Sequence, residues 1–305
     1  MTDELEHLIV DTDGGLDDAL ALSYLARHRG VNLVAVGSVH GNVHAQAAAN
    51  NSLRILELSG NTTTPVAIGA EAPLNQPLHL GHPEDPVGAL AGIPTRTPSA
   101  ESAAEQIVRL SRQQPRAHSL LALGPLTNIA LALSAEPDLP RLLHRIVIMG
   151  GAFAAAGNRT ADAESNIWHD PEAADAVLSA GFDCTVVPLD VTRQAVATRE
   201  WLAALAANPT HLWGQAAAAL LQQPGELPPL LLHDPLAAVL ALEPALAEFD
   251  HYPVRVHLDE HPVRGKTTAE ATNGPRPSVA VVKKVDTDAF RDRLLDVFAR
   301  EPQAL

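Results

Sequence analysis

Cysteine occurs once, at Cys184, so no internal disulfide can form. It lies in the apolar run from Phe182 to Leu189 and reads as a buried core thiol of a protein kept in a reducing compartment. Positive charge is scarce as well: lysine appears only at Lys266, Lys283 and Lys284, and the net charge is −15. With a pI near 5.3, that balance argues against a nucleic-acid or anionic-membrane partner. No apolar run approaches the roughly 20 residues that cross a bilayer. The opening MTDELEH is acidic and leads at once into a strand-like run, so no signal peptide and no membrane segment are expected, and a cytoplasmic location follows by default. Neither an internal repeat nor a low-complexity linker interrupts the chain, so residues 1–305 read as a single domain.

Acidic side chains, by contrast, are crowded where they are least expected. In His7 to Leu22, HLIVDTDGGLDDALAL, the carboxylates Asp11, Asp13, Asp17 and Asp18 fall where an apolar strand run gives way to an apolar helical run, with Gly14 and Gly15 at the turn. Like charges this close raise one another's pKa or require a counter-cation. Oxygen-only ligands gathered on a turn suit a hard divalent ion such as Ca2+ or Mg2+. Asp17 and Asp18 would also complement the dipole of a helix first turn.

Strand-like runs at Leu8 to Thr12, Asn32 to Val39, Val66 to Gly69, Ser119 to Leu123, Arg145 to Met149 and Cys184 to Asp190 alternate with helical stretches. The helical stretches are Leu16 to Arg29, Ala45 to Leu58, Ser102 to Gln113, Leu126 to Ala135 and Pro171 to Ser179. This alternation predicts an α/β fold, a mostly parallel central sheet flanked by helices. After Thr198 come helices at Arg199 to Ala207, Thr210 to Gln222 and Pro235 to Leu242. Strands at Tyr252 to Leu258, Thr267 to Thr272 and Ser278 to Val285 follow, and a last helix from Asp288 to Arg300. Two Pro-rich segments, Ala72 to Pro98 and Gln223 to Leu232, are long enough to read as functional covers.

Ligands of parallel sheets bind beyond the C-terminal strand ends. Those ends carry Asp11 and Asp13, then His40-Gly41-Asn42, Thr127-Asn128, Gly150-Gly151, Glu164-Ser165-Asn166 and His233-Asp234-Pro235. Each has an ordinary structural reading taken singly, such as helix caps for Thr127 and Asp234, a turn residue for Asn42 and a core histidine for His233. Their joint placement favours a site.

On these residues the chain resembles the inosine-uridine-preferring nucleoside hydrolases. The family's D-x-D-P-G-x-D-D motif reads here Asp11 to Asp18, and GN at Gly41-Asn42, LGPLTN at Leu123 to Asn128, MGG at Met149 to Gly151, GN at Gly157-Asn158, ExN at Glu164 to Asn166 and HDP at His233 to Pro235 follow in order. The resemblance implies a nucleoside hydrolase-like fold with a Rossmann-like core and extra C-terminal strands and helices. It implies Ca2+ held by Asp13, Asp18, Asp234 and the backbone carbonyl of Thr127, with Asp17, Asn42, Glu164 and Asn166 on the ribose hydroxyls and Met149 and Asn158 beside them. The implied reaction is hydrolysis of a ribonucleoside N-glycosidic bond, in nucleoside salvage or catabolism. Asp13 would be the general base, and His233, with a pKa near 6.5, the candidate acid for the leaving base; His82 is a second candidate. A homodimer or homotetramer is expected on the same ground.

Three departures stand out. Gly14 replaces the family's usual proline and frees the turn that carries Asp13. Ser165 replaces a common aromatic, and the tyrosines usual before the HDP motif are missing, since the chain has only Tyr24 and Tyr252. Trp168, Trp213, His79 and His82 are the aromatics left to meet a base, and a core role is equally open to either tryptophan. Histidine before Asp234 resembles the inosine-uridine or pyrimidine subgroup. Two other readings compete: a sugar- or nucleoside-binding protein on the same scaffold, and a haloacid dehalogenase-like phosphatase, which also opens with a strand-end D-x-D-G. The phosphatase needs a downstream lysine and a second acidic pair, and the chain has only late lysines and no G-D-x-x-x-D.

Overall fold

Leu8, Ile9 and Val10 put large apolar side chains on both faces of one strand, and all three are fully buried. Such a strand belongs inside a sheet covered on both sides. The computed structural model describes residues 5–225, 229–260, 262–270 and 274–299. Its first half runs β1 (Glu6–Thr12), α1 (Leu16–Arg27), β2 (Val31–Ser38), α2 (Ala45–Leu58), β3 (Val66–Ile68), α3 (Pro86–Ala91), α4 (Ala103–Gln113), β4 (Ser119–Ala122), α5 (Thr127–Ala135), α6 (Leu139–Leu142) and β5 (Ile146–Met149). The second runs α7 (Ser165–His169), α8 (Pro171–Leu178), β6 (Cys184–Val187), α9 (Leu189–Thr192), α10 (Arg199–Ala206), α11 (Leu212–Leu221), α12 (His233–Leu242), β7 (Ala247–Val256), β8 (Thr267–Ala269), β9 (Ser278–Val285) and α13 (Thr287–Phe298).

The strands form one nine-stranded sheet in the order β3-β2-β1-β4-β5-β6-β9-β7-β8. From β3 to β9 every pairing is parallel, and β7 closes that edge antiparallel to β9 and β8. Because side chains alternate along a strand, Leu8 and Val10 of β1 join one core with Leu22 of α1, Leu53 of α2, Leu236 of α12 and Phe290 of α13. Ile9 joins the other, with Ile107 of α4, Ile129 of α5 and Val177 of α8. The strand order reverses between β1 and β4, and that switch puts the β1, β2, β4 and β5 loops around one crevice.

The expected alternation is present, with local differences. The strand from Cys184 stops at Val187, because Pro188 has no N–H for the ladder and instead opens the short α9. β7 starts at Ala247, earlier than expected: Ala247-Glu248-Phe249-Asp250 alternate apolar and polar over only four residues that are half-buried or exposed, and a register shift against β9 falls at Glu248/Phe249. The Pro-rich segment at 72–98 holds α3, capped by Asp85, whose carboxylate accepts the Gly88 N–H at 2.9 Å. Of the expected features, Glu226 to Pro228 in the second Pro-rich segment, Ala271 and Thr272, and Arg300 lie outside the described residues. Cys184 is buried as expected, and burial pushes its thiol up to about 12. Among the described residues no helix is long and apolar enough to cross a membrane.

Candidate active site

The loop after β1 carries the acidic residues, and its backbone is fixed by them. Asp18, in the first turn of α1, accepts the N–H groups of Asp13 at 3.2 Å and Gly15 at 3.1 Å and the Thr12 hydroxyl at 2.5 Å. Gly14 is not a loosened turn. Its φ is +76°, and an added Cβ would lie 2.7 Å from the Ala48 Cα in α2. A left-handed residue pressed against a helix backbone must be glycine. A proline, held near −65°, does not fit this turn.

Asp13 is buried, and both its oxygens are engaged by Asn42, through the backbone N–H at 2.8 Å and the side-chain amide at 2.8 Å. Gly41 permits that approach, since a Cβ there would lie 2.1 Å from the nearer Asp13 oxygen. Asp17, Asp18 and Asp234 bring one carboxylate oxygen each within 4.8 Å of one another. Asp234 comes from the first turn of α12, so its position depends on a contact across the chain. Asp13 lies outside that group of three but is bonded to Asp18 through its own N–H.

The charge is not compensated by protein. None of the ion pairs among the described residues involves these aspartates. Burial, followed by the Asp18 charge, lifts Asp17 to about 7 and Asp13 well above the usual carboxylate range. Burial, with Asp17 and Asp18 beside it, does the same to Asp234. An oxygen-only group that cannot comfortably hold its own charge fits a hard divalent cation.

Above the acids lies a cavity of about 300 Å³. Asp17, Asn42, His82, Met149, Asn158, Glu164, Asn166, His233 and Asp234 line it, together with Gly81, Leu123, Arg159 and Ser165. Asp13, Asp18 and Thr127 are buried and do not line it. Glu164 caps α7, accepting the N–H groups of Asn166 at 2.9 Å, Ile167 at 3.1 Å and Gly151 at 3.1 Å, and burial still raises its pKa. The Asn166 amide donates to the carbonyls of Leu123 at 2.8 Å and Met149 at 3.2 Å, tying α7 to two strand ends. Asn158 accepts the Ser165 N–H at 2.8 Å.

Thr127 lies in a buried polar chain that sequence reasoning missed. Its hydroxyl donates to Asp170 at 2.8 Å and lies 3.1 Å from His40 Nε2. Asp170 also accepts the Leu74 N–H at 2.9 Å, so the Pro-rich segment is anchored to the same group. The Gly81 and His82 N–H groups hold that segment to the carbonyls of Gly41 at 2.9 Å and Asn42 at 2.7 Å. Asp11 lies further back: Asn128 donates to it at 2.8 Å, and burial pushes it up to about 7.

Two expectations change. Burial, with Arg193 adding to it, pulls His233 down to about 4, so its imidazole is neutral near pH 7, not poised at 6.5. Trp213 is no base-binding group. It is buried against α1, where its indole N–H donates to the Ser23 hydroxyl at 2.8 Å. Trp168 is buried too, with His79 against its ring and the Arg159 guanidinium 4.5 Å above it. Arg159, like Gly81, is a cavity residue that sequence reasoning did not mark, although it directly follows the Asn158 of the GN motif.

A doubly covered parallel sheet with a carboxylate-floored cleft at its strand ends defines an α/β protein built for a small polar ligand. Residues 8–292 match the family described as inosine-uridine preferring nucleoside hydrolase. A pyrimidine-specific ribonucleoside hydrolase from Shewanella is 35% identical over 317 residues, 96% of each chain. A probable uridine nucleosidase from rice is 39% identical over 200 residues, and the match spans 64% of this chain and 62% of the rice protein. Among solved structures, a purine-preferring ribonucleoside hydrolase from Gardnerella vaginalis superposes with a TM-score of 0.86 at 28% identity, covering 96% of this chain and 98% of that one. The chain belongs to the inosine-uridine-preferring nucleoside hydrolase family, and so to the hydrolases of N-glycosyl bonds.

Proposed function

We propose that the protein hydrolyses the N-glycosidic bond of ribonucleosides, releasing free base and ribose, with Ca2+ as its metal. The observation that carries this reading is the uncompensated group of Asp17, Asp18 and Asp234 beneath a cleft of about 300 Å³, with Asp13 bonded to Asp18 beside it. Asp18 and Asp234, with Asp13 and the Thr127 carbonyl, would hold the cation, while Asp17, which lines the cleft with Asp234 and Glu164, faces the ribose. When bound, such a cation polarises oxygen ligands and lowers the pKa of water.

The chain's own residues supply the rest. Asn42 orients the Asp13 carboxylate as general base and fixes which lone pairs remain free to take a proton. Asp17, Glu164 and Asn166 hold sugar hydroxyls, and a 2′-deoxy substrate would leave one of these polar groups buried without its partner. Carboxylates already in place stabilise the positive charge that the ribose ring develops as the bond breaks. His233, neutral near pH 7, acts on the departing base as a hydrogen-bond donor. The rival phosphatase reading loses its lysine: Lys266, Lys283 and Lys284 are all in ion pairs with Asp162, Asp250 and Glu248.

The test is to strip the protein with chelator, add back Ca2+ or Mg2+, and follow free base and reducing sugar from a panel of ribonucleosides and their 2′-deoxy forms. Base release restored by Ca2+ and confined to ribonucleosides is the expected result. Undiminished release after thorough chelation overturns the metal assignment, and p-nitrophenyl phosphate hydrolysis without base release overturns the reaction.

A further inference from the structure

We propose that Arg159 selects ribonucleosides that carry an anionic substituent beyond the ribose. This rests on the ribonucleoside reading above and names the substrate class of the same site. Arg159 is the one lysine or arginine among the residues lining the cleft. Other arginines of the chain are committed to carboxylates, as in Arg264 with Glu172 at 2.8 Å, Arg276 with Asp175 at 2.9 Å and Arg293 with Glu243 at 2.9 Å. Arg159 enters no such ion pair among the described residues. Its guanidinium carbon lies over the Trp168 ring, 4.5 Å from the centroid, a cation–π contact that uses none of its N–H groups in an ion pair and so leaves them to meet an anion.

The loop that carries it is held in place before any ligand arrives. Arg159 N–H donates to the Ala163 carbonyl at 3.1 Å, and the Arg193 guanidinium donates to the Gly157 carbonyl at 2.8 Å. The Thr160 hydroxyl accepts the Ala163 N–H at 2.9 Å. Upstream, Asp190 accepts the N–H groups of Phe153 at 2.9 Å, Ala154 at 2.7 Å and Ala155 at 3.1 Å. A cation so placed loses little freedom on binding, which is where an interaction gains affinity.

The electrostatics of the cleft set the sign of the ligand. Its other charged lining groups, Asp17, Glu164 and Asp234, are carboxylates, so an anion has only the Arg159 corner to enter. Ser165, small and next to Asn158, leaves that corner open. A planar guanidinium with five donors and no acceptor matches a carboxylate or phosphate in two-point fashion, and such charge-assisted bonds are about twice as strong as neutral ones. The shared chemistry is an anionic group, placed either on the 5′ carbon of the ribose or on the base.

The experiment compares uridine, uridine 5′-monophosphate and orotidine as substrates of the parent chain and of Arg159→Gln, with melting temperature recorded for both proteins. For at least one anionic compound, the ratio of its kcat/KM to that of uridine should fall about tenfold to a hundredfold in the variant. Loss with the 5′-phosphate places the anion at the sugar, and loss with orotidine places it on the base. A ratio unchanged in the variant, or cleavage by the parent of uridine but neither anionic compound, overturns the inference and leaves the ribonucleoside reading intact. If no nucleoside is cleaved, that reading fails on its own. Calorimetric titration of the same three compounds then decides the inference: tighter binding of an anionic member, lost in Arg159→Gln, supports it, and equal binding of all three overturns it.

Discussion

Replacing Gly14 by proline restores the residue usual in the family's D-x-D-P-G motif, and in this chain it is expected to destabilise. The native φ of +76° is about the mirror of the value that a pyrrolidine ring enforces. The new residue would therefore have to reverse the turn that sets Asp13 and Asp18, breaking the Gly14 N–H contact to the Thr12 hydroxyl at 3.3 Å. Alanine separates the two causes. It pays roughly 1–2 kcal/mol for a left-handed backbone, and a Cβ 2.7 Å from the Ala48 Cα adds an overpacking cost of roughly 1–3 kcal/mol. The smaller entropy of the unfolded variant returns about 0.4–1 kcal/mol. The balance is a loss of roughly 1–5 kcal/mol for Gly14→Ala and more for Gly14→Pro. In a chain this long that lowers Tm by roughly 2–8 °C for alanine. Scanning calorimetry of the chelated proteins, where no cation props up the loop, is the direct measurement. A Gly14→Pro protein as stable as the parent, or more so, would show that the turn relaxes to the family form and that the positive φ places no demand on this position.

Other expectations concern charge and position. Asp17 has its folded pKa raised from 3.8 to about 7, so its contribution is fully present below pH 4 and is lost as pH rises through 7 in metal-free protein. The stabilisation on adding Ca2+ should therefore grow from pH 5 to pH 8, with proton release on binding; an increment independent of pH would contradict this. Buried His40, His169 and His233, all near 4, weaken both forms as pH falls below 6.5, so the comparison must be the difference between loaded and chelated melts. Asp13→Asn keeps the Asn42 backbone contact but removes the base, and should lower kcat at least about a hundredfold with little change in Tm; near-normal turnover would end the assignment. Asp190→Ala strips three backbone donors of their acceptor and should cost about 1–2 kcal/mol and raise the rate of proteolytic nicking within residues 153–163; unchanged nicking would mean that the loop holds itself.

Strand and helix alternation, and hence the α/β fold, was legible in the sequence because each signal spans about ten residues of local pattern. The acidic stretch from Asp11 to Asp18 was legible for the same reason, as a concentration of charge that no local structure explains. Parallel-sheet logic then gathered Asn42, Glu164, Asn166, His233 and Asp234, and each of them does line the cleft. Local pattern failed where the signal is short or interrupted: α3 begins at a left-handed Asp85 inside a Pro-rich run, and the alternation that opens β7 spans only Ala247 to Asp250, crossed by a register shift and ended by two successive polar residues.

What the tertiary structure alone decided are quantities that depend on distance across the fold. The His233 imidazole is neutral near pH 7 because its neighbours exclude water, and the residue's identity says nothing of that. Gly14 reads from sequence as a freed turn, yet α2 presses on it and makes glycine the residue that fits. Trp213 reads from sequence as a base-binding or a core residue with equal weight, and the fold makes it a buried donor to Ser23. Arg159 has no motif of its own; it matters because the sheet order β3-β2-β1-β4-β5-β6 brings its loop to the same crevice as Asp17 and Asp234. Sequence sets which side chains are available and the local shape each segment takes. Burial and the meeting of distant loops, which fix charge state and reach, exist only once the sheet has closed over its two cores.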